Sequence, residues 1–227
     1  MSYNPNFQTE GRIYGRCILA NHPDAKIGIL YQNDDLGKDY VTGLKRALGD
    51  KAASMIVAEA AYEPTDPTVD SQIVRLKTLG ADVLYNISTP KFAAQAIRKI
   101  AELGWKPIHI LDINATSVGG VLKPAGFDAS QGIISVNYGK DPGDPTWDND
   151  PGMMNWRAFM DKYYPDGDKN SSFNTYGYST AQLLAMVLRN CGDNLTRENV
   201  MKQATSLKNV QVDLLLPGMV VNTSPTD

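Results

Sequence analysis

Two adjacent carboxylates, Asp34 and Asp35, follow closely on an apolar run from Ile27 to Tyr31. An acidic pair at such a corner could hold magnesium beside a phosphoryl acceptor. That chemistry also needs an aspartate at the end of the third apolar run, and Ser88 stands there. A carboxylate at the start of a helix is favoured by the helix dipole with no ligand at all. Asp34 and Asp35 are therefore read as corner and cap residues. The corner recurs: Tyr62-Glu63, Ser88-Thr89, Asp112-Ile113-Asn114 and Asn137-Tyr138 each close a later apolar run. With Gln32 to Asp35 they make a ring of hydroxyls, amides and aromatics without an activated base. Such a ring suits binding rather than turnover.

No sequence motif of catalysis accompanies the ring. G-x-G-x-x-G after a strand, a Walker loop, H-E-x-x-H and G-x-S-x-G are all missing. Gly119-Gly120 sits in the wrong context for a nucleotide loop, and Gly37 is alone. His22 and His109 are the two histidines, and neither has a second ligand at metal spacing. Cys17 and Cys191 cannot be paired by inspection and make no metal motif; buried thiols are expected. Asp141, Asp144, Asp148 and Asp150 lack the spacing of a calcium loop, so solvated loop charge is the expected reading. No catalytic residue, metal or cofactor is expected.

The elements that hold the corners follow from periodicity. Phe7 to Ala20 reads as a helix with Ile13, Tyr14, Cys17, Ile18 and Leu19 on its apolar face. Ile27 to Tyr31 is a near-continuous apolar run, as in a strand covered on both faces. Gly37 to Leu48 reads as a helix. Met55 to Ala60 is a second strand, and Asp66-Pro67 marks the start of a helix running to Leu79. Val83 to Ile87 is a third strand, followed by a helix capped at Ser88-Thr89-Pro90 and ending by Leu103. Gly80 and Gly104 are natural helix stops. Pro107 to Leu111 is a fourth strand, a short helix is expected within Ala115 to Leu122, and Gly132 to Tyr138 is a fifth strand. This alternation predicts an α/β fold with a doubly wound parallel sheet.

The pattern changes after Tyr138. Residues 139–152 are rich in Gly, Pro and Asp and read as a long loop. Helices are expected over Met153 to Tyr163, Phe173 to Asn190 and Thr196 to Ser206, with a short apolar run at Val212 to Leu216. The helix from Phe173 is apolar nearly all round and is expected to need cover on more than one side.

Composition sets wide bounds. The chain has 227 residues, 42% hydrophobic and 21% charged, with a formal charge of -3. That is enough apolar surface for a packed core, and no basic patch invites nucleic acid. No apolar run approaches the ~20 residues of a membrane span. Met1 leads straight into Ser2-Tyr3-Asn4-Pro5, so no signal peptide is expected within the chain.

Three stretches carry a family resemblance: Q-x-E-x-x-x-Y-x-x-x-x-L at 8–19, K-I-G-I-L-Y-Q-N-D-D-L-G-K-D-Y at 26–40, and L-x-x-L-G-A-D-V-L-Y at 76–85. With T-Y-G-Y-S-T-A-Q-L-L-A at 175–185, they resemble type I periplasmic binding proteins of the branched-chain amino-acid class, the substrate-binding components of ABC transporters. The resemblance implies two α/β lobes around a hinge. It assigns residues 9–162 to the second lobe, 172–205 to a helical piece of the first, and 206–227 to a tail or hinge segment. By that comparison the chain is expected to be a fragment, with about 120 or more residues upstream, and to bind ligand poorly alone. The resemblance further implies a periplasmic or extracytoplasmic location, a small-molecule ligand (an amino acid or an aromatic or aliphatic acid) and an ABC permease as partner of the full-length protein.

The implied ligand contacts are Ser88 and Thr89 after the third strand and Asn114, with Asp112, after the fourth. Leu36 stands where an aromatic is often found, and Tyr62 is a further candidate. Asn114 replaces the acidic residue expected to hold a ligand ammonium, which puts ordinary leucine or valine in doubt. A ligand-sensing domain of a regulator or receptor on the same fold is the alternative. It would need a DNA-binding or membrane segment, and the chain shows neither. An enzyme on a doubly wound sheet is a third reading, opposed by the missing nucleotide loop.

Overall fold

The structure is a computed structural model and describes residues 5–225. Its contacts divide the chain into two compact units, Pro5–Val136 and a second running through Asn137–Asp227. The segment 9–162 expected as one lobe thus runs through both units.

The first unit is a parallel sheet with helices on both faces. In chain order come α1 (Phe7–Asn21), β1 (Ile27–Gln32), α2 (Asp35–Leu48), a helical turn α3 (Ala52–Met55), β2 (Ile56–Tyr62), α4 (Asp70–Thr78), β3 (Val83–Ile87), α5 (Pro90–Glu102), β4 (Ile108–Leu111) and a short α6 (Lys123–Ala125). The strand order is β2-β1-β3-β4, every pair parallel. The chain leaves β1 toward β2 on one side, then returns past β1 to β3 on the other. That reversal puts the switch point between β1 and β3.

Strand residues alternate between two apolar layers. Ile27 and Ile29 of β1, with Val83, Tyr85 and Ile87 of β3, pack against Tyr14 and Ile18 of α1 and Tyr40, Val41 and Leu44 of α2. Leu30 and Leu84 point the other way, onto Ile73 and Leu76 of α4 and Phe92, Ala96 and Ile100 of α5. Both faces are covered, which is why these strands read as near-continuous apolar runs, interrupted in β3 by Asn86.

Helices α1 and α2 touch backbone to backbone. A Cβ on Gly11 would lie 2.5 Å from the Tyr40 carbonyl oxygen, and one on Gly43 would fall onto the carbonyl of Gln8. These glycines let α1 lie close to α2, which brings Glu10 and Tyr14 against Tyr40.

Several local expectations are corrected. Asp66 does not open a helix: its carboxylate accepts from Glu63 N at 2.9 Å and closes a turn, and α4 begins four residues later at Asp70. The short helix after β4 is a 3-10 turn, Ile113–Ala115, then a π turn, Val118–Leu122. The fifth strand reduces to one parallel bridge between Ile110 and Ile134. Ile134 N donates to His109 O at 2.8 Å and Leu111 N donates to Ile134 O at 2.9 Å. The ladder then stops because hydroxyls take over: Ser135 Oγ donates to Leu111 O at 2.7 Å, and Val136 N donates to Tyr14 Oη at 3.3 Å. Cys17 is exposed rather than buried, and Cys191 is buried; both are free thiols.

The second unit holds a 3-10 turn, Pro145–Trp147, and helices α7 (Pro151–Tyr163), α8 (Ser172–Cys191) and α9 (Arg197–Ala204). Helix α8 buries one stripe, Thr175, Ser179, Leu183, Val187 and Cys191, while Leu184 and Leu188 stay exposed. The tail run at Val212 to Leu216 is no strand. Val212 and Leu215 fold back onto Leu183 and Val187, held in part by an antiparallel bridge between Gly139 and Leu215. The aspartates of the 139–152 loop have structural partners. Asp150 caps α7 and pairs with buried Lys140 at 2.7 Å, Asp148 pairs with Arg157 at 2.7 Å, and Asp144 caps the 3-10 turn.

Replacing Gly43 with Ala tests the α1–α2 contact. Overpacking there costs about 1–3 kcal/mol, more than the ~1 kcal/mol that alanine adds as a helix former. Urea unfolding of Gly43→Ala is expected to show a lower midpoint than wild type, and an unchanged or higher midpoint would contradict the close packing.

Candidate functional site

In open α/β sheets, ligands bind outside the carboxyl ends of the strands at the switch point. Here that place lies between Gln32, the last residue of β1, and Ser88-Thr89, which follow β3. Tyr62 ends β2 and reaches across. Thr89 N donates to Tyr62 Oη at 3.0 Å, and Thr89 Oγ1 donates to Gln32 Oε1 at 3.1 Å. Tyr62 Oη lies 3.3 Å from both Gln32 Oε1 and Thr89 Oγ1. The Gln32 amide nitrogen in turn donates to Asp34, whose other oxygen caps α2 through Gly37 N at 3.1 Å. Thr89 is the cap residue of α5, but its side chain does not cap the helix; the hydroxyl is spent on Gln32.

A second network lies beneath the β3 and β4 corners. Ser88 N and Asn114 N donate to the Asp112 carboxylate at 3.1 and 3.0 Å, and Asn114 Nδ2 donates to Asp112 Oδ1 at 3.0 Å. Ser88 Oγ donates to Asn86 Oδ1 at 2.5 Å. Asn86 Nδ2 therefore faces His109 Nε2, 3.1 Å away, and donates to it. That assignment puts the ring proton of the neutral imidazole on Nδ1. Burial pushes His109 down to about 4, so the ring is uncharged at neutral pH. Burial pushes Asp112 up to about 7, against the Asn114 donors that pull it down and with the nearby Glu10 charge adding to the rise.

Glu10 closes the network from α1. Tyr40 Oη donates to its Oε2 at 2.6 Å, and Ile113 N donates to Oε1 at 3.0 Å. Tyr14 Oη lies 2.8 Å from Oε1. Asn114 Nδ2 also donates to Tyr40 Oη at 3.3 Å. Burial raises the phenols of Tyr14, Tyr40 and Tyr62 above their ordinary value, so all three act as neutral donors.

The structure thus gathers five of the six sequence-predicted residues along the strand ends. Ser88 and Asp112 are buried and engaged with the fold, whereas Thr89 and Asn114 are half-buried. Tyr62 is buried beneath Thr89. Leu36 is half-buried and packs on the apolar layer of α1 and α2. Sequence reasoning passed over Glu10 and Tyr40 as members of the site. The available signal was the Glu10, Tyr14, Ile18 spacing, which sets one acid on the buried stripe of α1. A groove of about 440 Å³ lies elsewhere, lined by Cys17, Ile18, His22 and Ile108, Ile110 and Ile134; it holds none of the predicted residues.

The fold is an α/β module, a doubly wound parallel sheet with polar groups collected at its switch point. A family model described as periplasmic binding protein matches residues 1–226, and the chain belongs to that family. It is similar to Leu/Ile/Val-binding protein homolog 8 of Brucella abortus, 27% identical over 128 residues. The match takes 53% of this chain and 32% of that protein, so the chain spans about a third of the curated relatives it matches. A substrate-binding periplasmic protein from Ralstonia solanacearum superposes with a TM-score of 0.77 at 25% identity, over 90% of this chain and 56% of that one. A branched-chain amino acid ABC transporter structure from Thermus thermophilus with bound valine gives a TM-score of 0.80 at 15% identity, over 98% of this chain and 59% of that one. The last likeness is one of fold. Among the described residues, no helix is long and apolar enough to cross a membrane.

Tyr62→Phe tests the first network. It strips Thr89 N of its acceptor at a part-buried site, at a cost of about 1–3 kcal/mol for an unsatisfied group. The expected result is lower stability with faster amide exchange at Thr89, and unchanged exchange there would show that the hydrogen bond is not made in solution.

Proposed function

We propose that this chain is part of an extracytoplasmic solute-binding protein that captures a small organic solute, an amino acid or a carboxylic acid, and presents it to an ABC importer. The observation that carries the reading is the placement of Thr89 and Asn114. They are half-buried polar groups at the strand ends of a switch point, supported from below by buried partners. Membership of the periplasmic binding protein family supports it, as do relatives named for leucine, isoleucine and valine.

The chemistry of the corner fits binding without turnover. Its hydroxyls and amides are uncharged donors and acceptors, and the buried His109 is paired with Asn86 rather than with a nucleophile. Asp112 uses its oxygens on Ser88 and Asn114, so an ammonium arriving at the β4 corner would meet the half-buried Asn114 amide before the buried Asp112 carboxylate. The solute class therefore includes acids that lack the amine as well as amino acids. Ser88 and Asp112 shape the wall, and Thr89 and Asn114, with Tyr62 and Leu36 flanking them, make the contacts.

Nitrogen–proton NMR of the labelled chain with millimolar branched-chain amino acids, their 2-oxo acid counterparts and aromatic acids tests this. One class is expected to shift the Thr89 and Asn114 resonances and to be recovered chemically unchanged. Thr89→Val is expected to weaken binding about 2–10-fold, the scale of one hydrogen bond. Shifts confined to other surfaces, or consumption of the solute, would refute the proposal.

A further inference from the structure

Glu10 and Asp112 are 2% and 1% exposed, and both lie under the strand-end corner. Each accepts about three hydrogen bonds, and neither takes part in an ion pair among the described residues. Neutral groups join them. Tyr40 Oη donates to Glu10 at 2.6 Å and accepts from Asn114 Nδ2 at 3.3 Å, and the same Nδ2 donates to Asp112 at 3.0 Å. Among the described residues, the side chains that bond to the pair or sense its charge from the surrounding elements are neutral. Those elements supply Tyr14 from α1, Tyr40 from α2, Tyr62 from β2, Tyr85, Asn86 and Ser88 from β3 and the loop after it, and His109 from β4.

Two buried carboxylates in one network, without a counter-ion, oppose each other's charge, and burial opposes both. We propose that Glu10 and Asp112, two buried carboxylates joined through Tyr40 and Asn114, together hold one exchangeable proton, making the corner they support a pH-responsive element. The proton rests mainly on Asp112. Glu10 has the shorter bonds, from two phenols at 2.6 and 2.8 Å, whereas the Asp112 donors are nitrogens at 3.0 to 3.1 Å. Desolvation raises Glu10 above its ordinary value, against the pull of its three donors, and carries Asp112 to about 7. Release of the proton to solvent leaves a second buried anion beside the first. Asn114 is the group placed to respond, because its one amide nitrogen serves both Asp112 and the Tyr40 bridge. The inference goes beyond the solute-binding reading and stands without it.

The sign of the linkage is definite. An acid whose folded value is raised holds its proton more tightly when folded, so its contribution is present at low pH and lost as pH rises through about 7. His109, lowered to about 4 from 6.5, acts the opposite way below 6.5. The two overlap in acid and partly cancel; above 6.5 the Asp112 contribution remains.

Carboxyl-carbon NMR of the labelled chain, without any solute, separates the groups. Asp112 is expected to titrate near neutral pH, the Glu10 resonance to show a step at the same midpoint, and the urea midpoint to fall from pH 6.5 to 8. Glu10→Gln removes the opposing charge and is expected to lower the Asp112 midpoint by about one pH unit, the scale of a close charge. Should that variant fail to fold, the wild-type curves decide alone. Asp112 titrating in the ordinary carboxylate range, or a Glu10 resonance blind to it, overturns the proposal.

Discussion

The first unit depends on one buried carboxylate. Glu10 sits on the inner stripe of α1 with no ion-pair partner among the described residues, and its donors come from three places: Tyr14 one turn along α1, Tyr40 in α2, and the backbone of Ile113 beyond β4. A charge so buried is tolerated only when hydrogen bonds replace its water. Satisfying it therefore fixes where α1 lies against α2 and where the chain turns after β4. The glycine contacts serve the same end, since Gly11 and Gly43 let the two backbones approach closely enough for Tyr40 to reach Glu10.

From that anchor the organisation spreads to the strand ends. Ile113 is held by Glu10, so Asp112 and Asn114 on either side of it are held too. Asp112 then fixes Ser88 across the gap between β3 and β4, while Tyr62 and Gln32 fix Thr89 from the β1 and β2 side. The polar edge is thus a continuous hydrogen-bonded rim rather than a set of loose loops. In the proposed solute-binding role, such a rim would be a pre-formed wall, and pre-formed walls lower the ordering cost of binding. Ser88 and Asp112 are buried on the rim's inner side, and Thr89 and Asn114 lie half-buried on its outer side.

Particular elements show how much was legible beforehand. β1 and β3 could be read because both faces are covered, so their residues are apolar up to the corner, with Asn86 in β3 as the polar exception. Gly80 and Gly104 could be read as helix stops, and each adopts the positive φ, 78° and 58°, that such a stop requires. The strand expected at Gly132 to Tyr138 could not, because its ladder is cut off by the hydroxyls of Tyr14 and Ser135, and Tyr14 lies far away in sequence. Asp66 looked like a cap because Asp-Pro is a helix-start pattern, but a nearer backbone N–H, that of Glu63, claimed its carboxylate.

Local sequence was enough for the alternation of β1 to β4 with their helices, the parallel doubly wound sheet, and the polar corners that emerge at one edge; the fifth strand and the start of α4 were not legible in it. The legible features rest on local periodicity, and side chains alternate across a strand whatever surrounds it. Only the tertiary structure decided which corner residues face inward. Ser88 and Asp112 look like Thr89 and Asn114 in a string of letters; what separates them is the approach of α1, which brings Glu10 and Tyr40 beneath the β4 corner. Hydrogen bonds between residues so far apart leave no periodic trace, because they depend on the packing of whole elements rather than on the spacing within one.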